Sequence, residues 1–176
     1  AYNGTAQLSV EVDNDTISLN DDVENEYDIL LSEGGDSPLG DEYQPDSNGI
    51  YVSPSGSNLG DGSYYSPYKS IDKAIYVATN GKTIYLANAT FKITSTLSLG
   101  KDLTFTSYDG GKPVIDGQNN CGILKLTADC SFSFNGITFI NGNAQNGGVV
   151  DFQNYNQYFG SFYNCTFINN TATNNG

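Results

Sequence analysis

The chain has 176 residues, 38% of them hydrophobic, which is enough for one core and too little for two sizeable domains. It carries 20 acids against 7 lysines with no arginine and no histidine, so the commonest general base, the commonest zinc ligand and the bidentate clamp for phosphate are missing. A net charge of −13 repels nucleic acid and anionic lipid, so neither nucleic-acid binding nor membrane insertion is expected.

In chain order, residues 1–48 form an acidic leader or extension. They hold 13 of the acids and no lysine, while residues 49–176 hold the rest of both and are formally neutral. So much like charge on so little apolar area predicts a segment that does not fold alone. Leu8, Val10 and Val12 alternate like a short strand, and Tyr27 to Leu31 is a small apolar cluster. A first residue Ala1 and the lack of any methionine suggest processing, hence a secreted, extracellular or cell-surface protein. No stretch approaches the ~20 apolar residues of a membrane helix. Asp13-Asn14-Asp15 is acid-rich, but no spaced loop of oxygen ligands is present, so neither a metal nor a cofactor is expected.

Residues 49–81 read as a strand plus a capping helix. Ile50-Tyr51-Val52 is the strand, followed by a turn-rich run to Ser63. Ser66 as N-cap and Pro67 at the first helical position precede Tyr68, Ile71, Ala74, Ile75 and Ala78 at helical spacing, and Gly81 stops the helix.

From Lys82 to Gly176 the pattern becomes short strands separated by Gly, Asn and Asp, and it repeats. Phe134 to Gly148 matches Phe162 to Gly176 at an offset of 28, Val114-Ile115-Asp116-Gly117 matches Phe139-Ile140-Asn141-Gly142 at 25, and Ile123 to Leu126 matches Val149 to Phe152 at 26. One unit of slightly variable length, with no helix between strands, predicts a parallel β-helix of about four rungs, incomplete at its C-terminal end. Alternation then stacks Leu124 and Leu126 with Val150 and Phe152, and Ile137 and Phe139 with Cys165 and Phe167. Lys125 and Asp151 fall outside on adjacent rungs, and Asn141 and Asn169 stack at a corner with Asn169 turned inward. Asp116 and Asn141 occupy equivalent places. An antiparallel sandwich would also use short alternating strands, but it leaves the matched loop residues unexplained.

Several of these segments resemble known families. Ile50 to Gly56, Ser66 to Ala74 and Thr83-Ile84-Tyr85-Leu86 resemble the start of pectin-lyase-like right-handed β-helix domains. Cys165-Thr166-Phe167-Ile168-Asn169-Asn170-Thr171-Ala172 and Gly147-Gly148-Val149-Val150 are similar to repeats of adhesin-like surface proteins of methanogenic archaea and of bacterial polymorphic outer-membrane proteins. The resemblance implies an all-β, right-handed solenoid whose helix caps the first rung. It also implies a non-enzymatic role in attachment to a cell-surface glycan or protein.

Enzymes on this scaffold resemble one another in using Arg or Lys with calcium-binding acids, or clustered aspartates. Here Asp61, Asp72, Asp102, Asp109, Asp116, Asp129 and Asp151 are scattered, so no catalytic residue is expected. The candidate binding residues are Tyr155 and Tyr158, in an aromatic turn from Asn154 to Gly160; against this stands the reading that Phe159 points inside and both tyrosines only shield the turn. A structural filament subunit, with the leader adding a strand to the next copy, is the alternative. Sequons make Asn3, Asn14, Asn88 and Asn164 glycosylation candidates, with Asn169 excluded as inward. Cys121, Cys130 and Cys165 read as buried thiols.

Overall fold

The computed structural model describes residues 45–153 and 158–175, all within a unit spanning Tyr43–Gly176. The leader and its strand-like segment lie outside the described residues.

The elements are β1 (Ile50–Val52), α1 (Ile71–Val77), β2 (Lys82–Leu86), β3 (Thr90–Lys92), β4 (Leu97–Leu99), β5 (Leu103–Ser107), β6 (Val114–Asp116) and β7 (Leu124–Leu126). There follow β8 (Cys130–Asn135), β9 (Thr138–Ile140), β10 (Asn143–Asn146), β11 (Val150–Asp151), β12 (Tyr158–Tyr163), β13 (Thr166–Ile168) and β14 (Thr171–Asn175). They form a long sheet β1-β2-β5-β8-β12, a second sheet β3-β6-β9-β13, a third β4-β7-β11, and the pair β10-β14. Among the described residues every strand pairing is parallel. Following the chain from β2, it visits the long, second and third sheets in turn and then returns to the long one beside its previous strand. The described body is thus mostly β with all-parallel sheets, consistent with a parallel β-helix.

The core is a set of columns. In the long sheet Ile84, Phe105, Phe134 and Phe162 lie opposite one another in successive strands. Phe91, Ile115, Phe139 and Phe167 do so in the second sheet, and Leu97, Leu124 and Val150 in the third. Phe134 stacks on Phe105 at 4.5 Å and on Phe162 at 5.5 Å between ring centres, with the edge of Phe139 against it at 5.2 Å. Phe139 and Phe167 stack at 5.3 Å on one sheet. They do not face each other across a sandwich.

Register departs from expectation at one place. Ile115 lies opposite Phe139 and Asp116 opposite Ile140, one residue short of the offset that aligned the Asp-Gly and Asn-Gly turns. The core column sets the register, because a one-residue slip would turn Ile115 outward. Asp116 and Asn141 are therefore bonded and not equivalent: Asn141 Nδ2 donates to Asp116 Oδ1 at 2.9 Å.

The helix is shorter than its periodicity predicts. Tyr68 forms a parallel bridge with Val52, its amide donating to Tyr51 O and its carbonyl accepting from Ser53 N, both at 2.9 Å. That extended pairing holds Ser66 to Tyr68 out of the helix, and Asn58 Oδ1 takes the amides of Lys69 and Ser70 instead. Ile71, Ala74 and Ile75 are the buried face of α1, which packs on β1 and β4. Lys101 Nζ closes its far end, donating to Ile75 O, Tyr76 O and Ala78 O at 3.0, 2.9 and 2.7 Å.

Corners use left-handed backbone. Gly136 has φ 71°, and Asn164, one winding later, has φ 52°. Asn141 and Asn169 repeat the device at φ 53° and 54°, as asparagine tolerates better than other side chains. Asn169 is exposed, however. Its neighbour Asn170 reaches back to the previous winding, accepting from Gly142 N at 2.8 Å and donating to Phe139 O at 2.9 Å. The left-handed turn swings residue 169 away and brings residue 170 over the winding before it.

Phe134→Ala should lower the unfolding free energy by about 3–5 kcal/mol, since it empties the middle of an aromatic column. Thr104→Ala, on the outward face, should cost well under ~1 kcal/mol. Urea unfolding of the two variants checks the difference.

Candidate functional site

The outward face of the long sheet is the complement of its core columns. Because side chains alternate, Thr83, Thr104, Ser133 and Ser161 form one outward column. Ser131 and Phe159 form a second beside it, and Thr106, Asn135 and Tyr163 a third. Ser161 Oγ and Ser133 Oγ are hydrogen-bonded at 3.0 Å, so the hydroxyl column is continuous across the last pair of strands.

An open depression of about 740 Å³ lies at the Phe159 end of this face, lined by the outward Ser131, Ser133, Ser161 and Phe159, by Asp102, and by the core side chains Leu103, Phe132 and Phe152. Gly160 lies between Phe159 and Ser161 on the inward side of β12, where a Cβ would come within 2.4 Å of the buried Phe132 ring. Phe159 is 79% exposed and Tyr163 72% exposed, two residues to either side of Ser161 along β12. Phe159 therefore points out of the fold and not into it. This overturns the expectation that it points inside: pairing with Ser131 puts it on the outward parity.

Most of the described carboxylates hold corners. Asp46, Asp61, Asp109, Asp116 and Asp151 each accept the amide two residues on, from Asn48, Ser63, Gly111, Gln118 and Gln153. These are Asx turns that hold the corners between strands. Asp102 Oδ1 accepts Ser131 N from the next winding at 2.6 Å. Asp109 is the most heavily bonded. Burial works to raise its pKa, but hydrogen bonds from Ser107 Oγ and the amides of Asn88 and Gly111 prevail and hold it below the usual carboxylate value. Among the described residues no three His, Cys, Asp or Glu side chains converge as a metal site.

Of the residues singled out from sequence, Tyr155 lies outside the described residues, and Tyr158 opens β12 with its backbone opposite Cys130. Asn3 and Asn14 also lie outside them. Asn88 and Asn164 are both exposed. Asn88 Oδ1 accepts Lys112 N and its amide packs where a Gly111 side chain would stand, whereas Asn164 sits at a corner that is open at the equivalent Gly136. Cys130 is buried, but Cys121 and Cys165 are only half-buried, and all three are free thiols. Burial pushes the Cys121 and Cys130 thiols up from their ordinary value. No helix among the described residues is long and apolar enough to cross a membrane.

Comparison with known proteins gives a partial likeness. The chain is 39% identical over 75 residues to pectate lyase PEL9 of Emericella nidulans, a match covering 39% of this chain and 18% of that protein. No family model matches, and no solved structure does. The likeness points to a pectate-lyase-like β-helix for part of the chain, in keeping with its parallel sheets.

Because Asp109 titrates below its unfolded value, its stabilisation is present above pH ~4 and is lost as pH falls through the folded value. Asp109→Asn should therefore lower the urea midpoint most at neutral pH, with the gap to the parent closing toward pH ~2. Midpoints measured across that range decide it, and a gap independent of pH would contradict the assignment.

Proposed function

We propose that the chain is an adhesin-like surface protein: an extracellular right-handed parallel β-helix, its first winding capped by α1, that binds cells, glycans or proteins without catalysing a reaction. The observation that carries this reading is the division of labour among its side chains. Most of the described carboxylates hold corners or neighbouring strands, while the broad outward face of the long sheet presents hydroxyl, amide and aromatic groups. Acid–base work on a glycosidic bond needs two carboxylates, or a carboxylate and a base, flanking one bond within roughly 5–10 Å. That face offers hydrogen bonds and stacking surface, which suit holding a ligand.

The second reading, a carbohydrate-active enzyme, is favoured by the likeness to a pectate lyase. In that case the chain would cleave a polysaccharide, with lysine as the available base because the sequence lacks arginine and histidine.

The purified chain is incubated with polygalacturonate, with and without calcium, and followed by the ultraviolet absorbance of unsaturated products and by reducing-end release. Binding to intact cells is measured in parallel. The adhesin reading expects no turnover and saturable cell binding. Turnover that rises with enzyme concentration and is lost in a lysine variant would overturn it in favour of the lyase.

A further inference from the structure

We infer that the outward face of the long sheet takes an uncharged oligosaccharide, held between Phe159 and Tyr163 over the Thr104–Ser133–Ser161 column. This rests on the attachment reading above and names the ligand class of that face.

Charge is the first argument. The three outward columns are built from Ser, Thr, Asn, Tyr and Phe, with no Lys, Asp or Glu among their paired positions. The depression at their Phe159 end has one charged residue in its lining, Asp102, and that charge is negative. A polyuronate would bring a carboxylate on every sugar to a surface with no cation in the columns to meet it, and with a like charge at the margin. Such a ligand would be desolvated without a partner. A neutral sugar needs what the face has: hydroxyls and amides that donate and accept.

Geometry is the second. Adjacent strands are ~4.8 Å apart, so the hydroxyl column repeats at a regular interval across the sheet. Phe159 and Tyr163 are four residues apart on one strand, about 13 Å, and project to the same side. Their exposed rings, 79% and 72% open, bracket the column. A sugar's C–H face lies against an aromatic ring while its hydroxyls bond to polar neighbours, and a ring already exposed loses little side-chain freedom on binding. At the Phe159 end the depression of about 740 Å³ falls in the size range of small-ligand sites, and the face continues from it along β12 to Tyr163.

The third concerns pre-organisation. The hydrogen bond between Ser161 and Ser133 and the core packing of Phe134 on Phe162 fix the strand that carries both aromatics. The face is therefore formed before a ligand arrives.

The test uses the full chain in affinity electrophoresis through gels containing, separately, a mixed-linkage β-glucan, a galactomannan, dextran, soluble starch or polygalacturonate. The inference expects retardation by at least one neutral polymer, unchanged between about 0.05 and 0.5 M NaCl, since screening does not touch a neutral ligand. Phe159→Ala and Tyr163→Ala should each weaken that retardation about tenfold with an unaltered melting temperature, as both side chains are exposed. Ser131→Lys should add weak, salt-sensitive retardation by polygalacturonate. Retardation by polygalacturonate alone, abolished by salt, would overturn the inference, as would no retardation by any neutral polymer. If cell binding persists while every neutral polymer fails, the ligand class is wrong and the attachment reading stands. If polygalacturonate is cleaved, the attachment reading fails as well.

Discussion

The structure depends on like side chains lying over one another in successive windings. Parallel strands in fixed register bring each inward residue onto the equivalent residue of the winding before, and the interior becomes a set of continuous columns. The column Phe105–Phe134–Phe162, crossed by the edge of Phe139, is the clearest. Its planar rings stack nearly parallel at the spacing the strands impose, so aromatic packing and backbone hydrogen bonding are satisfied by one geometry. Connecting turns are then free to differ in length, provided each delivers the next strand in phase.

That freedom explains where the polar residues went. A corner must reverse direction without a helix or hairpin to satisfy its amides. The chain solves this locally with aspartate bonded to the amide two residues on, with asparagine or glycine in left-handed backbone, and with Asn170 reaching across to the previous winding. Among the described residues asparagine and aspartate recur at corners. Carboxylates committed in this way are poor candidates for proton transfer, and the outward sheet face is left to Ser, Thr, Asn, Tyr and Phe. Under the attachment reading proposed above, a surface of that composition would discriminate by shape and hydrogen bonding more than by charge.

Much of the architecture was legible because repetition shows in sequence. The pairings Leu124 with Val150 and Phe139 with Phe167 follow from matched blocks, and β1 stands where Ile50-Tyr51-Val52 predicts. Three features were not legible. Alignment of Asp116-Gly117 with Asn141-Gly142 rests on turn chemistry, whereas the real register follows the core and is one residue shorter. The helix signal at Ser66-Pro67 is sound locally, but a tertiary bridge from Tyr68 to Val52 overrides it. The direction of Phe159 depends on its pairing with Ser131, and an aromatic cluster in the sequence carries no mark of which ring faces water. In each case the missing information is a long-range contact.

Cross-linking two adjacent windings probes their stacking in parallel register. In a chain whose three native cysteines are replaced by serine, Ser133→Cys and Ser161→Cys place thiols on neighbouring strands of the outward hydroxyl column, where the parent oxygens are 3.0 Å apart. Paired outward positions ~4.8 Å apart at Cα lie within the span a disulfide accepts. Mild oxidation should convert the monomer almost fully to an internally bridged form, seen as the loss of both free thiols by mass. Persistence of two free thiols under conditions that oxidise model dithiols would contradict the stacking and everything built on it.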